Sequence, residues 1–340
     1  MKVTHIINNL DIGGGAQTLV KDICLNSKLS HTVVTLEKPS LEYGGLNHLN
    51  LLINPIKALK EIYYSDVLHF HLFPTLYLAP FFFFKKKVYT EHNTYNRRRN
   101  FKIFKLIDSF FYLFYSKIIC ISLGTKRSLK SWLIGHRLHS KLEIIFNGVD
   151  FAIFRNKESN FDNSKDSFIN NKPISIGMVG SFTDQKNQKF LIEIMKILPS
   201  NFNLKLAGSG INLVSLKEYA QKIGVGDKVF FYGLVKDIPS FYKELDLYVH
   251  SAHWEGFGLT VIEAIASGLP TFASDVEGLK EIIPKEFLFK SNDSSMLSKL
   301  ILTTFKKYNQ SDLDKLLKES KKSYDISVMV KKYEFIYTSV

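Results

Sequence analysis

Cysteine is almost missing from this chain, with two in 340 residues. Cys24 and Cys120 have no Cys-x-x-Cys spacing, which excludes a disulfide framework and makes a reducing compartment, the cytoplasm, the expected one. Long apolar runs are missing too. The longest, over 69–84, is shorter than the ~20 residues a membrane span needs and is broken by Pro74 and Pro80. The first residues, Met1-Lys2-Val3-Thr4-His5-Ile6-Ile7, read as a strand, so no secretory leader and no transmembrane helix are expected. No P-loop is present. Acidic residues are in deficit, with 32 Asp and Glu against 45 Lys and Arg, for a net charge of +13. The imbalance is local: residues 1–170 hold 23 basic and 13 acidic residues, a net +10, which leaves +3 for the rest. A basic first half implies an anionic partner there, such as nucleic acid, acidic lipid headgroups or a phosphorylated substrate.

What remains is ordinary globular composition. At 45% hydrophobic and 23% charged, disordered and collagen-like classes are excluded, and the length suits about two domains of ~150 residues. Apolar runs of strand length at 3–7, 31–36, 66–71, 87–91 and 117–122 alternate with helical patterns near 17–25, 75–84 and 125–132. This is the βαβ pattern of a doubly wound parallel sheet. The pattern lapses into Asn, Lys, Ser and Asp over 150–171, the expected linker. It then resumes with strands at 174–179, 203–207, 228–232, 246–250 and 271–273. Helices near 188–198, 213–222, 239–243 and 259–266 separate them, and a Lys-rich amphipathic tail follows. The expectation is an α/β protein of two facing domains with a cleft between them: 1–165, 166–320, and a terminal helix at 321–340 that packs back on the first. In such sheets ligands sit beyond the carboxyl ends of strands.

The segment Ser251-Ala252-His253-Trp254-Glu255-Gly256-Phe257-Gly258-Leu259-Thr260-Val261-Ile262-Glu263-Ala264 combines a strand end, a glycine-flexed loop and a helix start. The open amides of a helix's first turn carry about half a positive charge and bind anions. Glu255 precedes that helix, and Glu263 lies about 7 Å along it at ~1.5 Å per residue. An anion there would have a carboxylate on either side, the layout of a nucleotide sugar. Most glutamates are merely solvated, but this pair flanks a Gly-x-Gly turn on a helix too apolar to lie in water.

The segment resembles the Glu-x7-Glu motif of the family-4 retaining glycosyltransferases, which have the GT-B fold of two Rossmann-like domains. Asn147-Gly148-Val149-Asp150 resembles the family's interdomain turn. Gly180-Ser181-Phe182 with Gln185-Lys186-Asn187 resembles its phosphate loop, and Ala207-Gly208-Ser209-Gly210, Phe231-Tyr232-Gly233 and the run from Glu263 to Pro270 resemble later landmarks. The resemblance implies a nucleotide-diphosphate-sugar donor and a glycan acceptor carried on a polyprenyl diphosphate, as in bacterial O-antigen or capsule assembly. It implies Glu255 on the donor sugar's hydroxyls, Glu263 on the ribose, and amides near Phe257, Gly258 and Leu259 on the diphosphate. Lys186 would meet the leaving phosphate, and Ser181, Gly208 and Tyr232 would line the donor site. Where the family often has an arginine, this chain has Ser181. His92, in Tyr89-Thr90-Glu91-His92-Asn93, matches the family's histidine near the reacting sugar, although a lone histidine is more often structural. Gly13-Gly14-Gly15 resembles the glycine-rich loop that approaches phosphate or acceptor, with a plain turn as the alternative. The resemblance implies no cofactor and no metal.

Rival readings are weaker. Gly13-x-Gly15-x-x-Thr18 lacks the dinucleotide fingerprint's third glycine and its position directly after a strand. His69-x-His71 points two rings one way without a further ligand cluster, and Asp312-Leu313-Asp314 sits in a Lys-rich helix. Phe81–Phe84, Lys85–Lys87, Arg97–Arg99, Lys102 and Lys105 join apolar bulk to cations. They suit either a packed helix with solvated lysines or a peripheral contact with the inner face of the cytoplasmic membrane. Arg97 and Arg98 could instead meet an acceptor diphosphate. A GT-B-fold sugar-nucleotide epimerase and a nucleic-acid-binding protein stay as alternatives, the second without a groove-reading motif.

Overall fold

The computed structural model describes residues 1–10, 14–38, 45–155, 164, 166, 168–307 and 309–340. They form two compact units, Met1–Gly148 with Ile326–Val340, and Val149–Asp325. Gly13 and much of the expected linker, 156–163, 165 and 167, lie outside the described residues.

The first unit is a seven-stranded parallel sheet in the order β3-β2-β1-β4-β5-β6-β7. Its strands are β1 (Lys2–Ile7), β2 (Ser30–Thr35), β3 (His48–Asn50), β4 (Val67–His71), β5 (Lys86–Glu91), β6 (Lys117–Cys120) and β7 (Leu142–Ile144). Central strands are buried on both faces: every residue of β4 is buried. That is why they read as near-continuous apolar runs. One face packs Val3, Val67, Val88 and Ile119 against Leu19 and Ile23 of the helix Gly15–Asn26 and against Met329, Val330, Tyr333 and Tyr337 of the helix Ile326–Ser339. Each such buried side chain contributes roughly 1.5–3 kcal/mol.

The second unit is a six-stranded sheet in the order β10-β9-β8-β11-β12-β13. Its strands are β8 (Ile174–Val179), β9 (Phe202–Ala207), β10 (Val229–Gly233), β11 (Leu247–His250), β12 (Thr271–Ser274) and β13 (Leu288–Phe289), paired in parallel. The helix Leu259–Ala266 is almost wholly apolar and buries Val261, Ile262, Ala264, Ile265 and Ala266. Backbone bonds from Gly268 to Ile265 and from Leu269 to Ala264 end it, and Pro270 prevents its continuation.

Several sequence expectations shift. The first unit ends at Gly148 rather than near 165, because the helix Phe151–Phe154 packs on the helices Ile238–Lys243 and Leu259–Ala266 of the second unit. The expected helix at 75–84 is a 3-10 helix, Thr75–Phe82, with Pro80 inside it. Asp312 closes a capping box with Asn309, and Asp314 accepts from Gln310, so this pair serves its helix. Among the described residues no helix is long and apolar enough to cross a membrane.

Candidate functional site

In an open parallel sheet the strand order reverses once, and the crevice at that reversal is where ligands bind. In the second unit the reversal lies between the neighbours β8 and β11, and the loops that leave those two strands carry Lys186 and Glu255. The loops are stitched together. The His253 amide donates to the Gln185 carbonyl at 2.8 Å, and Gln185 Nε2 donates to the Trp254 carbonyl at 3.0 Å. The buried Ser251 hydroxyl faces the carbonyls of Lys186 and Asn187, each at 3.0 Å.

Within this frame Lys186 Nζ donates to Glu255 Oε2. His250, the last residue of β11, lies with Nε2 3.1 Å from the same oxygen, and Glu255 Oε1 accepts the Gly256 amide at 3.0 Å. Burial works against ionisation of Glu255, but the Lys186 ammonium and the His250 hydrogen bond outweigh it. They hold the carboxyl well below the usual carboxylate range. Burial in turn lowers the His250 pKa, so the ring is neutral and donates through Nε2. Its Nδ1 faces the hydroxyls of Tyr248 at 3.2 Å and Thr260 at 3.4 Å.

Glu263 is tied to the same cluster from the other side. The buried Tyr242 hydroxyl lies 2.9 Å from both Glu263 Oε2 and the Thr260 carbonyl. Burial pushes the Glu263 carboxyl up to about 7, with the Tyr242 hydrogen bond opposing. Between the two acids the helix Leu259–Ala266 begins without a side-chain cap. The Gly258 carbonyl takes the amides of Val261 and Ile262 at 3.0 and 3.3 Å. Among the described residues the amides of Gly258, Leu259 and Thr260 stay open, a positive cradle. Gly258 has φ +91, and a Cβ there would stand 2.5 Å from Leu279. Gly208, after β9, has φ +142 and lets its backbone pass so close to Gly180 that a Cβ would stand 2.0 Å from the Gly180 oxygen. Only glycine fits either position.

The remaining candidates divide. Ser181 is exposed on the β8 loop, where its carbonyl accepts from Gln188 at 2.9 Å. The Phe257 ring is buried against Tyr324 at 5.8 Å, so only its backbone can meet a ligand. Tyr232 turns its hydroxyl to Glu244 at 2.9 Å and meets Phe241 edge-on. It touches neither Glu255 nor Glu263.

In the first unit the strand order reverses between β1 and β4. Gly14 caps the helix Gly15–Asn26 that follows β1. His92 lies one residue past β5, is buried, and bonds through Nε2 to His71 Nδ1 at 3.3 Å. Arg98 departs from its expected phosphate role. Its Nε donates to the fully buried Asp108 at 3.0 Å, and Asp108 also accepts from Tyr77 and Trp132. An uncompensated buried carboxylate is costly, so this cation is structural. Arg97 is exposed. Lys87 is buried as well, with its ammonium on the carbonyls of Phe82 and Lys85 at 2.8 Å. It is therefore not part of the surface basic patch.

Sequence reasoning missed His250 and Tyr242. A histidine closing a strand directly before a Ser251 loop was the available signal for the first. A tyrosine in a short apolar helix carries none.

Two doubly wound parallel sheets, with paired acids and an open helix start at one strand reversal, define a protein of GT-B glycosyltransferase architecture. The sequence matches the family profile described as Glycosyl transferases group 1 over residues 159–323, and that described as Glycosyltransferase Family 4 over residues 26–152. The chain belongs to this glycosyltransferase family. It is 35% identical over 162 residues to Protein CapJ of Staphylococcus aureus, covering 46% of this chain and 41% of that protein. It is 32% identical over 148 residues to the lipopolysaccharide core biosynthesis mannosyltransferase LpsB of Rhizobium meliloti (strain 1021), covering 41% and 42%. The aligned region thus spans about two fifths of the length of these curated relatives. The solved structure of Anabaena Alr3699/HepE in complex with UDP superposes with a TM-score of 0.87 at 18% identity over 100% of both chains.

Proposed function

We propose that this chain transfers a glycosyl group, with retention and without a bound metal, from a nucleotide-diphosphate sugar to a glycan acceptor carried on a polyprenyl diphosphate. A UDP-sugar is the favoured donor, and the setting is cell-surface polysaccharide assembly. The observation that carries this reading is the Lys186–Glu255–His250 cluster beside open amides at the reversal between β8 and β11. A carboxylate held below its usual range stays ionised and is a weak base, suited to accepting hydrogen bonds from sugar hydroxyls rather than to proton abstraction. The donor would part the ion pair, its phosphate taking Lys186 and its sugar taking Glu255. A cation and aligned amides would then meet the charge that develops on the leaving phosphate. Glu263, linked to the cluster through Tyr242, would meet the ribose hydroxyls. HepE was solved with UDP, which favours uridine among the bases.

The first unit supports a peripheral membrane site. The helix Ile103–Tyr112 exposes Ile103, Leu106 and Phe110, and Leu113 continues the stripe. That is helical spacing, but on the outward face. Phe81, Phe83, Phe84 and Phe101 are exposed nearby in sequence, as are Lys86 and Lys102. An apolar stripe edged by cations suits an anionic bilayer surface at the inner face of the cytoplasmic membrane.

The decisive experiment incubates the protein with a panel of nucleoside diphosphate sugars, with and without a polyprenyl-diphosphate-linked glycan. A UDP-sugar should raise the melting temperature and yield a product with the donor's anomeric configuration. If no nucleotide sugar stabilises the protein or is consumed, the reading fails. An isomerised donor in the absence of acceptor would replace it with an epimerase. For the membrane, vesicle sedimentation should rise with anionic lipid and fall with salt, and indifference to both removes that part.

A further inference from the structure

We propose that His31, His5, His71 and His92 form one hydrogen-bonded imidazole chain across β2, β1, β4 and the end of β5, which sets whether His92 offers a proton or a lone pair at its Nδ1. The contacts run in register. His31 Nδ1 meets His5 Nε2 at 2.9 Å, His5 Nδ1 meets His71 Nε2 at 3.0 Å, and His71 Nδ1 meets His92 Nε2 at 3.3 Å. The two terminal nitrogens, His31 Nε2 and His92 Nδ1, are buried with no hydrogen-bond partner among the described residues.

The logic is that of one proton per ring. A neutral imidazole has one N–H and one lone pair, and each contact needs one of each. The sense of any one contact therefore fixes the rest, so all four rings carry the proton on Nε2 or all carry it on Nδ1. Burial keeps the rings neutral: it pushes His5 and His71 well below their ordinary value, His31 down to about 4 and His92 down to about 3. The switch between senses balances. A proton arrives on His92 Nδ1; His92, His71 and His5 each pass their Nε2 proton to the next ring's Nδ1; and His31 releases its own from Nε2. No ring is left charged.

The surroundings hold the chain without joining it. His69 lies 3.9 Å from His71 between ring centroids, but its nitrogens face the Tyr337 and Thr90 hydroxyls, each at 2.7 Å. Tyr333 reaches Thr90 at 3.3 Å. Cys24, on the helix Gly15–Asn26, has its thiol pushed up to about 12 by burial. Glu334, on the helix Ile326–Ser339, is the acid whose charge favours a proton on His31. His5, His69 and His71 also bring ring nitrogens within 4.8 Å of one another. A cation there would have to break hydrogen bonds that already occupy both nitrogens of every ring.

His31, His5 and His71 are thus positioning residues for His92. Their use in sugar transfer rests on the glycosyltransferase reading, in which His92 faces a sugar hydroxyl; the coupling of the rings does not. Long-range proton–nitrogen NMR on the full chain with 15N-histidine reads each tautomer. The four rings should share one tautomer, and opposite tautomers in adjacent rings, or an imidazolium at pH 7, overturns the proposal. His31→Phe changes the half-buried end only, and the His92 tautomer ratio should shift by at least about twofold. A response confined to His5 overturns it. If that variant does not fold, the wild-type tautomers still decide. Titration with zinc alone should leave the ring signals in place, and stoichiometric capture would make the cluster a metal site instead. Turnover is the separate arm. If His92→Ala keeps normal kcat and KM for sugar transfer, His92 is not at the sugar, whatever the NMR shows of the chain.

Discussion

Both sheets reverse strand order once, and the two reversals are furnished with opposite chemistry. Between β8 and β11 stand a carboxylate, an ammonium and open helix amides, all on loops that follow the strands. Near β1 and β4 the polar groups sit on the strands themselves, as neutral imidazoles bonded to one another. The difference teaches what each place can do. A charged pair at loop level can be parted by an incoming ligand that replaces each partner. Neutral rings inside a sheet have no such replacement, so they must satisfy one another and can act only through the ring at the rim.

The comparison breaks most readily at Glu255. Glu255→Ala in a folded variant should lower turnover by about 10²-fold or more in a steady-state transfer assay, as loss of a preorganised polar contact does. Near-normal turnover would mean that the pair is structural, like its counterpart in the first unit. That counterpart is Arg98–Asp108, and it sharpens the contrast. Lys186→Met and Arg98→Met each strand a buried carboxylate and should each cost about 3 kcal/mol in denaturant unfolding. Only Lys186→Met should also weaken nucleoside diphosphate binding. Arg97→Ala, at an exposed cation, should stay within about 0.5 kcal/mol.

Gly208→Ala comes next. The new methyl meets the Gly180 oxygen, and the strain should lower stability by about 1–3 kcal/mol.

A subtler, pH-dependent effect is expected at Glu263. Its carboxyl binds a proton more tightly in the fold than in the unfolded chain, at about 7 against 4.5. The stability tied to that proton is present below pH ~4.5 and is lost as the pH rises through about 7. Glu263→Gln should therefore raise stability at pH 8 by about 1–2 kcal/mol, a figure reduced for partial exposure. It should weaken nucleotide binding about tenfold, the cost of a lost charged hydrogen bond. In the wild type, calorimetry should find binding tightening from pH 6 to 8, with the slope gone in the variant.

How much of this was legible in the chain depends on whether the signal was local. The strands β1, β2, β4, β5, β6, β8, β9, β11 and β12 announce themselves because they are mostly buried and their apolar runs are continuous, while β10, an edge strand with Phe230 and Tyr232 exposed, shows through its run of aromatics. The edge strands β3, β7 and β13, of three, three and two residues, are too short to show a period. The Glu255–Glu263 spacing could be read because one loop and one helix hold it. Arg98 was hard to read for the opposite reason: three consecutive arginines look alike in sequence, and only the distant acids Asp108 and Glu91 turn Arg98 and Arg99 inward and leave Arg97 exposed. The histidines escaped for the same reason. His5, His31, His71 and His92 come from separate strands or strand ends, and nothing in sequence aligns them.

The helix Ile326–Ser339 has a consequence for biogenesis. It supplies Tyr333 and Tyr337 over the histidines of the first unit, yet the ribosome makes it only after all of Val149–Asp325. That face of the opening sheet must therefore wait, covered only by the helix Gly15–Asn26, while an entire second unit is synthesised. Until that helix arrives, the polar rings at its centre have water for company, and a nascent chain stalled before residue 326 would present an unfinished surface to chaperones.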